Sequence, residues 1–148
     1  MKTNVFIGIS DSVIFREVLN RFLTLPFEKQ RLTITLVHVF RKATNSEQLM
    51  GEDYITHQIE QFTHILKLTK QQLINNGYTK EQIAVNLIEN PYPTIADGLI
   101  DQFKKGEYHM VVLGRKRMSK AEEFVLGDPC TKLIRYLEKT CVLIIKGS

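Results

Sequence analysis

Residues 108–146 read YHMVVLGRKRMSKAEEFVLGDPCTKLIRYLEKTCVLIIK, and this stretch decides the fold. Tyr108–Leu113 (YHMVVL) and Thr140–Lys146 (TCVLIIK) are short apolar runs of strand type. Between them, Asp128 and Pro129 suit the N-cap and first position of a helix that runs to about Glu138. Residues 114–127 precede it as a loop with room for a short helical turn. Strands this uniformly apolar are covered on both faces, which is the setting of a parallel βαβ unit.

The same alternation extends back to the start of the chain. Asn4–Ile9 (NVFIGI) reads as a strand. From Asp11 to Leu23, the residues Ile14, Phe15, Val18 and Phe22 keep helical spacing, with Asp11 or Ser12 as cap and Pro26 as stop. Leu32–Phe40 (LTITLVHVF) is the second strand. Thr44 and Glu47 form a capping-box pattern that opens a long helix. Ile55, Ile59, Phe62, Leu66 and Leu73 give that helix one apolar face, and Asn75, Asn76 and Gly77 end it. Ile83–Ile88 is the third strand. A helix capped by Thr94 carries Ile95, Leu99, Ile100 and Phe103 to Gly106. The order βαβαβαβαβ predicts one α/β, Rossmann-like domain over residues 1–148. Its sheet has five parallel strands with helices on both faces and right-handed crossovers. Ligands of such sheets sit at the carboxyl ends of the strands, near the point where strand order reverses. Residues 10–12, 38–44, 89–93 and 114–128 are therefore the loops that matter.

Composition narrows the function classes. In 148 residues, 43% are hydrophobic and 24% charged, ordinary globular usage. No run approaches the roughly 18 apolar residues of a membrane helix. The opening MKTNVFIGISDS is too short and too soon broken by Gly8, Ser10 and Asp11 to read as a signal peptide. A net charge of +4 falls short of a nucleic-acid binder's footprint. Two cysteines, Cys130 and Cys141, give neither a disulfide framework nor metal-ligand spacing. The expectation is a cytoplasmic protein with reduced thiols and no resident metal. Cys141, in an apolar strand, reads as inert core. Cys130, near a helix start, is a candidate for a lowered thiol pKa that Asp128 would oppose. No GxxxxGK[ST], GxGxxG after the first strand, GxSxG, HExxH or paired CxxC is present, and nothing assembles an acid–base pair, so catalysis is not expected.

The 114–128 loop resembles that of the universal stress protein family. The family places a glycine after the fourth strand, a second three residues on, then nine residues, then glycine with Ser or Thr opening a helix. Here Gly114 is followed by Arg117 at the second glycine's place, nine residues, Gly127, and Asp128 at the hydroxyl position. The order of elements resembles the family over the whole chain. In ATP-binding members this loop approaches the phosphates, and an Asp after the first strand contacts the base or ribose side. The resemblance therefore points to Ser10, Asp11, Val39, Gly114, Arg117, Gly127, Asp128 and Cys130 as the cofactor-binding positions. At the Asp place stands Ser10, with Asp11 one residue on and able to serve instead as a helix cap. Val39 follows His38, as valine follows histidine in the family; His38 itself, without a sequence partner, reads as a satisfied structural histidine. Tyr92, in the third loop, is a candidate to cover a ligand or simply to pack.

The departures carry physical weight. A helix N-terminus binds phosphate through free N–H groups and partial positive charge. Asp128 would take those donors itself and put a carboxylate where phosphate should lie, Pro129 removes a donor, and Arg117 adds bulk. The expectation is a stress-response, regulatory domain whose adenine-nucleotide site is degraded and binds ATP weakly or not at all. The alternative is a working ATP or AMP binder that uses residues 114–131, with Arg115, Lys116, Arg117 and Lys120 as phosphate partners. A receiver domain is a third reading, but only Asp11 and Glu89 approach its acidic positions. The resemblance also implies a homodimer through residues 140–146, an apolar edge that invites pairing.

Overall fold

The computed structural model describes residues 2–9, 15–126 and 128–147. Its strands are β1 (Thr3–Gly8), β2 (Leu32–Arg41), β3 (Ile83–Tyr92), β4 (Met110–Arg115) and β5 (Cys141–Lys146). Its α-helices are α1 (Phe15–Thr24), α2 (Asn45–Leu49), α3 (Glu52–Asn75), α4 (Ile95–Lys105), α5 (Lys120–Leu126) and α6 (Pro129–Tyr136). The strands form one five-stranded sheet in the order β3-β2-β1-β4-β5. Every neighbouring pair is parallel. The α/β architecture expected from the sequence is the one observed.

Alternation along each strand splits the core into two layers. Val5 and Ile7 of β1 pack with Ile34 and Leu36 of β2 against Phe22 of α1 and Leu66 of α3. Phe6 of β1, with Val37 and Val39 of β2, packs on the other side with Leu99 of α4 and Leu133 of α6. Successive side chains of a strand point to opposite faces, so one strand feeds both layers. β1 sits in the middle, and the order of connection reverses between β1 and β4.

Four local features differ from the sequence expectation. The long helix is two helices. Thr44 and Glu47 form the capping box, but α2 ends after five residues and Gly51 follows at φ +83°. That left-handed conformation suits glycine and ends the helical path before Glu52 restarts it. β3 runs four residues past Ile88. Its register against β2 shifts after Val39, so that Arg41 pairs with Tyr92 across an irregularity containing Pro91. Proline is tolerated there because β3 is an edge strand. Residues 89–92 are thus strand and not loop. The short helical turn allowed for in the loop before Asp128 is a seven-residue helix, α5. Finally, Cys141 is exposed and not core, because it begins β5 on the open edge of the sheet.

Candidate functional site

The reversal between β1 and β4 places the end of β4 beside the start of α6. Gly114 and Arg115 are the last residues of β4, and Asp128 is the N-cap of α6. Asp128 Oδ1 accepts the Cys130 N–H at 3.1 Å, and Oδ2 accepts the Thr131 hydroxyl at 2.7 Å. Pro129 at the first helical position contributes no N–H. The same carboxylate pairs with the Arg115 guanidinium at 2.9 Å, and Arg115 also reaches Glu123 at 3.1 Å. The helix end has therefore supplied its own anion. The Arg115 guanidinium is matched by two carboxylates.

The other expected site residues scatter around this centre. Cys130 is buried, and its thiol is pushed up to about 11, first by burial and then by the Asp128 charge. Burial and the Asp128 charge thus oppose the thiolate that a helix start would otherwise favour. Arg117 is exposed. Val39 is buried on the α4 side, where its side chain meets the space a Cβ on Gly98 would fill. Ser10, Asp11 and Gly127 lie outside the described residues. Tyr92 packs, and its hydroxyl donates to Asp101 at 2.6 Å and accepts from Gln102 at 3.0 Å.

Sequence reading found the Asp128 cap from the residue types alone. It missed the two charge pairs that lock the cap in place. One is Arg115 with Asp128. The other is Lys132 of α6 with Asp97 of α4, at 2.8 Å. Asp97 is held below the usual carboxylate range, chiefly by Lys132 and then by Thr94, the cap of its own helix. These partners are far apart in sequence, so no local spacing announces them.

A second concavity lies off this crevice. It has a volume of about 390 Å³ and is bounded by the end of β2, the tail of β3, α2 and the start of α3. Its floor includes His38, whose ring stacks on Phe62 at 3.6 Å between centroids and meets Phe40 edge-on at 4.5 Å. His38 Nδ1 donates to the Ile9 carbonyl. That bond fixes the tautomer with Nε2 as an acceptor. Among the described residues, Nε2 is the buried side-chain polar atom with no partner. The expected satisfied histidine is satisfied at one nitrogen only. An orphaned buried acceptor costs about 1–3 kcal/mol. Burial also lowers the His38 pKa to about 4, against the opposing Ile9 bond, so the ring is neutral at pH 7.

No protein-family model and no curated protein matches the sequence. Solved structures do. A universal stress protein in complex with cAMP superposes with a TM-score of 0.69 at 16% identity, covering 99% of this chain and 98% of that one. The chain has the universal stress protein fold. A second structure with this fold, from Archaeoglobus fulgidus, gives a TM-score of 0.66 at 13% identity over 99% of this chain and 100% of the other. A universal stress protein family member from Burkholderia pseudomallei gives 0.64 at 14% identity over 97% and 95%. The universal stress protein fold thus spans essentially the whole chain. At these identities it carries the architecture and leaves the chemistry to the residues themselves. Among the described residues no helix is long and apolar enough to cross a membrane.

Proposed function

We propose that this chain is a non-catalytic, cytoplasmic regulatory domain of universal stress protein type, with an adenine-nucleotide crevice that holds ATP weakly or not at all. The observation that carries the reading is the Asp128 carboxylate. It occupies the α6 N-terminus, takes its hydrogen-bond donors and ties up Arg115. A triphosphate entering here meets a fixed negative charge, at about 1 kcal/mol per like-charge pair 4 Å apart in water and more in a drier crevice. It also has to break the Arg115 pair before gaining that cation.

Calorimetric titration with ATP and Mg²⁺ tests this directly. Wild type is expected to bind at millimolar strength or weaker. Asp128→Ser keeps a competent cap, removes the carboxylate and releases Arg115, so affinity is expected to rise about tenfold. Submillimolar binding by wild type, lost in Gly127→Trp, would overturn the proposal in favour of a working ATP or AMP binder. Because one similar structure holds cAMP, cAMP belongs in the same titration. Its single phosphate charge meets less repulsion from Asp128 than a triphosphate does.

We also propose a homodimer through β5. This strand pairs with β4 on one side only, and the helix before it exposes Ile134 and Tyr136 at 56% and 52%. An unpaired strand edge beside exposed apolar side chains favours association. Sedimentation at about ten micromolar is expected to give the mass of two chains, and Val142→Lys on β5 to give one. A wild-type protein that sediments as a single chain at that concentration sinks the dimer.

A further inference from the structure

We propose that the cavity between β2, β3 and α3 binds a neutral, largely apolar small molecule of the phenol or indole class, which donates one hydrogen bond to His38 Nε2. Asp128 and Gly114, at the phosphate end of the crevice, do not line it, whereas Val39, a position the family resemblance gives to the nucleotide, does.

Three observations select the ligand. The first is size: about 390 Å³ lies in the range of small-molecule pockets and is more than a water or an ion needs. The second is the wall. Phe40, Ile55, Ile59, Phe62, Pro91 and Ile95 present an apolar lining to the occupant's body. The third is the floor, where one acceptor has no donor. A ligand with an O–H or N–H group relieves that deficit, whereas a pure hydrocarbon leaves it standing. His38 lines the cavity, with the half-buried Phe40 ring edge-on beside it.

Charge excludes anions. The ionisable groups of the lining besides His38 and Tyr54 are Arg41, Glu47 and Glu89. Arg41 is already paired with Glu47 at 2.8 Å. Glu47 also accepts the Thr44 N–H at 2.8 Å and the Tyr54 hydroxyl at 3.1 Å. The guanidinium and the Tyr54 donor are thus committed within the wall, and Glu89 adds a negative charge. Among the described lining residues a carboxylate or phosphate ligand finds no uncommitted cation. A neutral donor finds His38 Nε2, the buried side-chain polar atom that lacks a partner among the described residues.

The test is fluorimetric titration of the full chain at pH 7 with 2-naphthol, with naphthalene as the analogue lacking the donor. Saturable binding of 2-naphthol is expected, with naphthalene about tenfold weaker. On binding, the His38 Nε2 nitrogen resonance of wild type is expected to move. Ile59→Trp fills the cavity from a half-buried helix position and is expected to abolish binding of both compounds while retaining the native circular-dichroism spectrum. His38→Phe is expected to retain apolar binding and lose the preference for 2-naphthol. Absence of saturable binding in wild type overturns the proposal. So does equal binding of the two compounds, or a Nε2 resonance that stays in place while 2-naphthol saturates. If His38→Phe does not fold, the nitrogen resonance of wild type and the Ile59→Trp variant decide.

Discussion

Lowering the pH from 7 to 4 is expected to remove roughly 3 kcal/mol of folding stability through His38 alone. In the folded chain burial depresses its pKa from 6.5 to about 4, while the unfolded chain keeps the ordinary value. Above pH 6.5 the ring is neutral in both states, and the full stability is present. Between 6.5 and 4 the unfolded state takes up a proton that the folded state refuses, so each pH unit costs about 1.4 kcal/mol. Below pH 4 both states are protonated and the loss levels off. The carboxylates that acid also titrates, Glu47, Asp97 and Asp101 among them, are held below their usual range and act in the same direction. They are common to wild type and His38→Phe, so the difference between the two urea-denaturation series isolates the histidine. Stability curves for the two proteins that run parallel from pH 7 to 4 would contradict the burial argument.

Truncation of Phe6 to alanine is expected to cost about 4 kcal/mol, since removing a buried aromatic leaves both lost transfer energy and a void. Phe6 is fully buried on the central strand. Its ring meets Phe103 of α4 at 5.6 Å and 62°, and Tyr108, just before β4, at 5.1 Å and 84°. Both are edge-on contacts of the favourable kind. The same residue therefore holds a helix and the approach to the next strand. Phe6→Leu keeps most of the volume and is expected to lose only about 1.5 kcal/mol. A double-mutant cycle of Phe6 with Tyr108→Leu should show a coupling of about 0.5–1.5 kcal/mol. Urea midpoints measured at pH 7 check all three values. A loss below about 1 kcal/mol for Phe6→Ala would mean that the layer closes over the gap.

Most of the architecture was legible in the sequence because its central strands β1, β2 and β4 are largely buried and its strands read as apolar runs. Runs such as Met110–Leu113 and Val142–Ile145 announce themselves by composition. The helices α1, α4 and α6 announce themselves by spacing and by caps at Thr94 and Asp128. The failures have a common cause: they depend on what lies beside the segment. A glycine such as Gly51 inside a helical pattern can be tolerated, and only its observed conformation shows the break. The tail of β3 becomes strand because Arg41 and Lys42 lie alongside it, the latter donating its N–H to the Tyr92 carbonyl at 2.7 Å. Cys141 belongs to an apolar run, and its exposure follows from the edge position of β5. At the site, the Asp128 cap is a local property and was readable. The Arg115 clamp and the His38 cavity are assembled by the topology, from residues that no spacing rule connects.

The central position of β1 has a consequence for how the chain is made. β1 pairs with β2 early in the sequence, but its other neighbour is β4, which begins at Met110. A polypeptide leaving the ribosome N-terminus first can assemble the β3-β2-β1 half before that partner exists. During this interval the strand that becomes the middle of the sheet is its border, with one row of N–H and C=O groups unpaired beside Phe6 and Ile7. The nascent chain is then most open to wrong strand pairing and to capture by a chaperone. The hazard ends only when residues 110–115 have emerged and docked, so delaying their arrival should raise aggregation of the nascent chain more than the same delay after β5.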